Sequence, residues 1–415
     1  MNDDVVDDRV ARGSRNEETR QRNLALMLSS VHSRGSLSRA ELTRLSGLNR
    51  STVGFLIGEL VELGLVLETE PAERRVGRPS PVVVPSPDVV AIAINPDVTG
   101  LTAGVVGLGG AVRLRETILT AEILTPEDAV LLTRDFVLRV AEELPDTTRV
   151  AGIGVAVPGL VDERTNAIDV APHLGWQDEA LAAMIEEELA LPTWLSNDST
   201  LGVIAEAHYG AGVGCDNVMY LNGSTSGLGG GVISEGRLMR GAHGFGIELG
   251  HILLDRDGAV CPCGRTGCLE TIVNVRRISS AAGRAVIGLD ELDALYAGGP
   301  GAAVEAELDI QADALALGIA SLVCVFGSER VILGGHVGSL LDARGDRIRA
   351  GVAKQAYGPL GRDLTIVRNG LRERVVHIGA AELAFSTLLN DPAHAPLFGI
   401  AGLRAAVRAE GRPGA

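Results

Sequence analysis

Three of the chain's five cysteines fall within one run, HILLDRDGAVCPCGRTGCLE, from His251 to Glu270. The spacing is H-x9-C-x-C-x4-C. Three thiolates and an imidazole fill the tetrahedral shell of zinc and leave no position for a reactive water. His251, Cys261, Cys263 and Cys268 are therefore expected to hold a structural Zn2+, a site that fixes shape and does not hydrolyse. Clustered cysteines, odd in total, favour metal over a disulfide framework. A zinc knot with no further ligand role fits the same spacing.

A second set of chemistry-bearing residues stands near the N-terminus. Asn49, Arg50, Ser51 and Thr52 can all hydrogen-bond to base edges or phosphates. Arg74, Arg75 and Arg78 cluster in the polar stretch PAERRVGRPS. The formal net charge of −16 argues against a protein that coats nucleic acid along its whole surface. Residues 20–82 nevertheless hold nine Arg and six Glu, which indicates a small basic module on an acidic body. Solvated surface arginines would give the same count.

The elements that position these residues are written in the pattern around them. Residues 1–19 are charged and nearly free of core residues, so a mobile tail is expected there. Leu24, Met27, Leu28 and Val31 share one helical face. Ser38 and Glu41 form a capping box for a helix that carries Leu42 and Leu45 inward, and Gly47 suits its left-handed end. A further helix opens at Asn49, with Val53, Leu56, Ile57, Leu60 and Leu63 as its buried stripe. Helix, glycine turn and second helix is helix-turn-helix geometry, in which the first residues of the second helix face the major groove. Strand patterns at 65–69 and 81–84 flank the three arginines and make a wing, with the rigid Gly77-Arg78-Pro79 shaped for a minor groove. An ordinary three-helix packing unit fits these residues too.

From Val89 the pattern changes. VVAIAI, LTAGVVGL and AVRLRETIL read as strands, a helix follows from Pro126 to about Leu144, and VAGIGVAVPGLVD is a strand ending in a Pro-Gly turn. Strands alternating with helices imply an α/β domain, and three strands followed by a helix match the start of a ribonuclease H-like lobe. GVAVPGLVD, LGW at 174–176, SND at 196–198, GSTSGLGGGV at 223–232, GIELGHI at 246–252 and CPCGRTGCLE at 261–270 then occur in one order. In these segments the chain resembles the ROK family, which contains sugar kinases and sugar-responsive repressors. With the basic module in front, it resembles the repressor branch. The resemblance implies a winged helix-turn-helix domain at 20–86. A two-lobed α/β ribonuclease H-like domain of the actin-like ATPase and sugar kinase type follows, with lobes at 87–205 and 206–392. The last helix of the second lobe returns to the first, and a flexible tail is expected at 393–415.

The resemblance also implies a sugar site. Asn197 and Asp198 end the strand pattern LPTWLSND, where open α/β sheets bind ligands, and a carboxylate beside an amide can fix two neighbouring hydroxyls. Asn-Asp after a strand is also a common turn. Glu248, His251 and Glu270 are implied sugar contacts, with one ring nitrogen of His251 on zinc and the other toward a hydroxyl. Asp198 matches the general base of the family's kinases. Those kinases cradle ATP phosphates with an Asp-x-Gly-Gly-Thr loop, and Asn95-Pro96-Asp97-Val98-Thr99 falls at that place. Asn95 replaces the acid, and Asp97 and Val98 replace both glycines. They add charge and a branched side chain where backbone N–H groups should approach phosphate.

The expectation is a regulator and not an enzyme, with Asp198 a vestigial base. It would bind an inverted-repeat operator in double-stranded DNA as a homodimer or homotetramer, and a sugar or sugar phosphate would modulate that binding. The alternative is a working hexose or N-acetylhexosamine kinase with an appended DNA-binding domain; a zinc-stabilised oligomerisation scaffold is a third reading. No apolar run reads as long enough to span a bilayer, and the acidic N-terminus is not a signal peptide. A cytoplasmic location with no membrane partner is expected.

Overall fold

The computed structural model describes residues 3–70, 81–285 and 287–404. Arg74, Arg75 and Arg78 lie outside the described residues. The N-terminal unit comprises α1 (Asp3–Arg34), β1 (Leu37–Ser38), α2 (Arg39–Ser46), α3 (Arg50–Glu62), β2 (Val66–Thr69) and β3 (Val82–Pro85). α1 starts at Asp3, so helix takes in 3–19 of the tail expected at 1–19, while residues 1–2 lie outside the described residues. Most of its residues are charged or polar, yet no proline interrupts them and Gly13 is their one glycine. Ser38 and Glu41 do form a capping box on α2, Gly47 adopts φ 70° at its end, and Asn49 caps α3. Leu24, Met27, Leu28 and Val31 of α1 are buried with Val53, Leu56, Ile57 and Leu60 of α3 in one cluster. The antiparallel sheet β1-β3-β2 completes the unit.

The first lobe contains β4 (Val89–Asp97), β5 (Gly100–Gly107), β6 (Ala111–Leu119), α4 (Pro126–Glu143), β7 (Arg149–Val157), β8 (Leu160–Asp162), β9 (Ala167–Ala171), β10 (Trp176–Glu179), α5 (Leu181–Leu189), β11 (Thr193–Asn197) and α6 (Asp198–Tyr209). The second contains β12 (Val218–Ser224), β13 (Gly227–Ser234), β14 (Arg237–Leu238), α7 (Leu269–Ile272), α8 (Val275–Ala281), α9 (Leu289–Ala297), α10 (Ala302–Phe326), β15 (Arg330–Gly334), α11 (Gly335–Gln355) and β16 (Thr365–Arg368). Last come α12 (Val375–Asn390) and β17 (Phe398–Gly399).

Each lobe repeats one topology. The sheets run β11-β7-β4-β5-β6 and β14-β13-β12-β15-β16. In both, the first three strands form an antiparallel meander, and the last two add in parallel beyond the first. Residues at or just past the carboxyl ends of the parallel strands, Asp97, Pro158, Asn197, Ser224 and Gly335, line the cavities between the lobes. That is where open α/β sheets leave room for a ligand. A small antiparallel sheet, β10-β9-β8, walls one side.

α12 crosses back to the first lobe and lies close against it. A Cβ at Gly154 of β7 would stand 1.8 Å from Ala380 O, and one at Gly379 would stand 2.4 Å from Leu201 O on α6. The chain continues beyond α12 as structure over 393–404, the described part of the flexible tail expected at 393–415; residues 405–415 lie outside the described residues. Phe398 pairs opposite Val150 of β7, Ile400 is buried in the first-lobe core, and Arg404 hydrogen-bonds the carbonyls of Ala141 and Leu144. α10 is a second correction, because by length and composition it could cross a membrane. Here it is a core helix, with Leu308, Ala312, Leu315, Ile319 and Val323 buried in the second lobe.

Candidate functional site

The cysteine loop is held by its own backbone. Cys261 N–H donates to Arg265 O at 2.7 Å, and Leu254 N–H donates to Gly267 O at 2.8 Å. Gly267 takes φ 75° where a Cβ would lie 1.5 Å from Asp255 O, so only glycine fits there. The loop brings His251, Cys261, Cys263 and Cys268 together, with one ligand atom of each within 4.8 Å of all the others. Cys261 Sγ lies 3.6 Å from His251 Nδ1, and the Cys263 and Cys268 sulfurs are 3.8 Å apart. This group can hold a metal ion.

The other ring nitrogen of His251 faces away from the sulfurs, 3.8 Å from Glu248 Oε2. Beyond it opens a cavity of about 500 Å3, lined by Asn197, Asp198, Glu248, His251 and Glu270 together with His173 and Trp176. All five residues predicted to contact sugar thus line one cavity, in the size range of small-molecule sites. Glu248 sits at the apex of a tight turn with φ −78° and ψ 70°, closed by Leu249 N–H to Ile247 O at 2.9 Å, an inverse γ-turn. Ile247 before it has φ 70°, a strained conformation for a β-branched residue.

Asn197 has a structural job beside the one expected. Its Oδ1 caps α6 by accepting from Ser199 N–H and Thr200 N–H, each at 3.0 Å, and its Nδ2 donates to Gly159 O at 3.1 Å. Both ends of its amide thus serve the fold and help to aim Asp198, while the side chain also lines the cavity. His173 was not singled out from the sequence. Its Nε2 lies 3.7 Å from Glu270 Oε1, and the one signal for it was its place just before the LGW segment.

The three carboxyls are electrically distinct. Burial, aided by the charge of Asp97, pushes Asp198 up to about 6 against the hydrogen bonds from Ser199. Burial with the charges of Asp198 and Glu270 pushes Glu248 up to about 7. Burial acts upward on Glu270 too, but nearby His173 and hydrogen bonds from Cys261 and the Leu228 N–H outweigh it and hold that carboxyl down at about 2. Glu270 is a fixed anion, while Asp198 and Glu248 are poised to gain or lose a proton near neutrality.

A second cavity, about 440 Å3, shares Asp198 and Ser224 with the first. Asp97 lines it. Its carboxylate accepts from Thr225 Oγ1 at 3.0 Å, from the Ser226 hydroxyl, and from Val98 N–H at 2.6 Å. Asp97 therefore ties the β4–β5 turn of one lobe to the β12–β13 turn of the other. The glycines of β13 are packing residues. A Cβ at Gly229 would meet Ser199 Oγ at 2.2 Å, and one at Gly231 would meet Val203 at 2.7 Å, both on α6.

In the N-terminal unit, Asn49, Arg50 and Ser51 are exposed at the start of α3 and Thr52 is half-buried. Asn49 Oδ1 is used as a cap, accepting from Thr52 N–H at 2.9 Å and from Ser51 Oγ at 2.6 Å. One turn beyond Ser51, Phe55 is 65% exposed, an aromatic ring on the outward face that the sequence reading passed over.

These lobes and this pocket define a sugar kinase-like domain of the ROK type, and the chain belongs to the ROK family, whose profile matches residues 91–387. It is 27% identical over 397 residues to the xylose repressor of Caldicellulosiruptor bescii, covering 91% of this chain and 98% of that one. Among solved structures it is similar to a ROK family transcriptional regulator described as a homologue of the E. coli Mlc protein. That likeness has a TM-score of 0.73 and 25% identity over 95% of this chain and all (100%) of the other. A ROK family glucokinase from Streptomyces griseus, solved with glucose and AMPPNP, is similar with a TM-score of 0.63 and 26% identity, over 72% of this chain and 99% of that one.

Proposed function

We propose that this chain is a sugar-responsive transcriptional repressor: a winged helix-turn-helix unit reads an operator, and occupation of the carboxylate pocket alters that reading. The observation that carries the proposal is the extent of similarity. Likeness to the repressor and the regulator spans 91% and 95% of this chain, N-terminal unit included, whereas the glucokinase covers 72%. α3 offers the groove Arg50, Ser51, Thr52 and the exposed ring of Phe55, suited to a thymine methyl. An inverted-repeat operator would engage two copies related by a two-fold axis. Acting on DNA, the protein would work in the cytoplasm.

Zinc is the metal that fits the cluster. Sulfurs about 2.3 Å and a nitrogen about 2.0–2.1 Å from a tetrahedral zinc stand about 3.8 Å apart for two sulfurs and about 3.6 Å for sulfur and nitrogen. Those are the separations of Cys263 from Cys268 and of Cys261 from His251 Nδ1. Bound zinc would fix the tautomer of His251 and leave Nε2 for a sugar hydroxyl.

Asp97 weighs against the kinase alternative. Its carboxylate holds Thr225 and Ser226 and lines the second cavity, so a nucleotide phosphate bound there would face a second anion. Purified protein should select an inverted repeat from a random duplex library, bind it less tightly as salt rises, and release it with one of D-xylose, D-glucose or their phosphates. No sequence preference in any of these conditions would refute the proposal. Turnover of ATP with hexoses that disappears in Asp198→Asn would instead establish the kinase.

A further inference from the structure

We propose that α6 carries the state of the pocket to the N-terminal unit, and that Tyr209, Glu382 and His32 form the contact through which it does so. The proposal rests on the sugar-repressor reading and adds a mode of regulation to the same site. Asp198, the first residue of α6, lines the pocket. Tyr209 is its last residue, and at 1.5 Å per residue the two ends lie about 17 Å apart.

At the far end, three helices share one buried carboxylate. The Tyr209 hydroxyl donates to Glu382 Oε1 of α12 at 2.9 Å and lies 2.7 Å from His32 Nε2 of α1. His32 Nε2 is itself 2.7 Å from Glu382 Oε1, and His208 Nδ1 is 3.2 Å from Glu382 Oε2. Gly109 N–H donates to His32 Nδ1 at 2.9 Å, so Nε2 carries the proton that faces Glu382 and Tyr209. The side chains of His32 and Glu382 are 2% and 6% exposed. The Phe385 ring meets the imidazole edge-on at 5.5 Å.

α6 is packed as a rod. Leu201 and Gly379 bring it against α12, and Ser199 and Val203 abut the glycines of β13. A ligand that draws on Asp198 therefore pulls on the whole helix. A buried carboxylate does not tolerate losing a partner, because water is not there to replace it. When Tyr209 shifts, α1 must follow through His32 or the cluster must break. Two discrete arrangements are what coupling between distant sites requires. α1 in turn packs on α3, the helix that faces DNA.

The test uses full-length protein and an operator selected from random duplexes. Tyr209→Phe removes one hydroxyl, and Glu382→Gln keeps the shape of its side chain. For each, operator affinity is measured with and without D-xylose and D-glucose, alongside the melting shift that each sugar induces. Sugar should change operator affinity of the unmodified protein at least about fivefold. Both variants should keep the sugar-induced melting shift and the sugar-free affinity, while the ratio of affinities falls toward one. Variants that keep the full ratio overturn the proposal. If Glu382→Gln does not fold, Tyr209→Phe decides together with hydrogen exchange on unmodified protein. Sugar must then alter exchange at both 28–34 and 205–212, and unchanged exchange there beside altered DNA affinity overturns it as well. An unmodified protein that shows neither a melting shift nor an altered affinity sinks the sugar reading itself, and the coupling with it.

Discussion

Asp198 is buried against Asp97 and Glu248, with the Ser199 hydroxyl at 3.1 Å as its hydrogen-bond donor. Its carboxyl titrates at about 6, above the ~4 of an unfolded aspartate. A raised folded value means that the associated stability is fully present below the unfolded value and lost as pH rises through about 6, an amount of roughly 3 kcal/mol. Sugar hydroxyls that donate to the carboxylate reverse the preference, because they need it ionised. Affinity for D-xylose or D-glucose should therefore weaken about tenfold per pH unit on acidification below the Asp198 value. Calorimetric titrations on either side of that value would show the slope, and Asp198→Asn should abolish it. At the other end of the chain, Phe55→Ala should leave melting unchanged, because the ring is exposed. Operator affinity should fall by roughly 1 kcal/mol with non-specific DNA binding intact, measured by fluorescence anisotropy. Equal losses on operator and random duplex would remove Phe55 from base recognition.

At the scale of elements, the cysteine loop and the turn that carries His251 form one wall of the pocket. If the cluster holds zinc as proposed, removing it should do more than loosen a surface loop. Chelation, or Cys263→Ser, should lower the melting temperature and abolish the sugar-induced melting shift together, with zinc content followed by atomic absorption. A sugar response that survives in zinc-free protein would separate metal from pocket. The loop could be read from the sequence because its ligands lie within eighteen residues and their chemistry is particular to metals. The cap at Ser38, the turn at Gly47 and the strand end at Asn197 were legible for the same reason, since each is a local signal. What escaped the sequence was built by distance. His32 and Glu382 are 350 positions apart, and nothing near either one names the other. Asn197 was seen but its capping role was not, because an N-cap and a ligand amide look alike until Gly159 O and the two N–H groups are in place. Phe398 and Ile400 were lost in a tail whose composition outweighed two apolar residues.

At the scale of the molecule, the N-terminal unit is joined to the rest by more than a linker. Leu24, Leu28 and Val31 of α1 share one buried cluster with Val89, Ala91 and Val106 of the first sheet and with Ala384, Phe385 and Leu388 of α12. Arg149 of β7 also donates to Leu63 O at 3.0 Å. The second lobe has a core of its own around α10. Cooperativity follows shared cores, so the N-terminal unit and the first lobe should unfold as one transition, and the second lobe, which meets α6 and α12 through a smaller cluster around Tyr220, should form another. Phe385→Ala tests this, because the ring is fully buried where the two parts meet and truncation there costs about 3–5 kcal/mol. Calorimetry should show the transition of the N-terminal unit and first lobe moving down as a single peak, and operator binding should be lost at the same temperature. Leu315→Ala, in the core of the second lobe, should move the other transition and leave operator binding without sugar intact. If Phe385→Ala splits the N-terminal unit from the first lobe into separate peaks, the continuous core does not couple them. The route from pocket to DNA would then have to pass through the His32 contact alone.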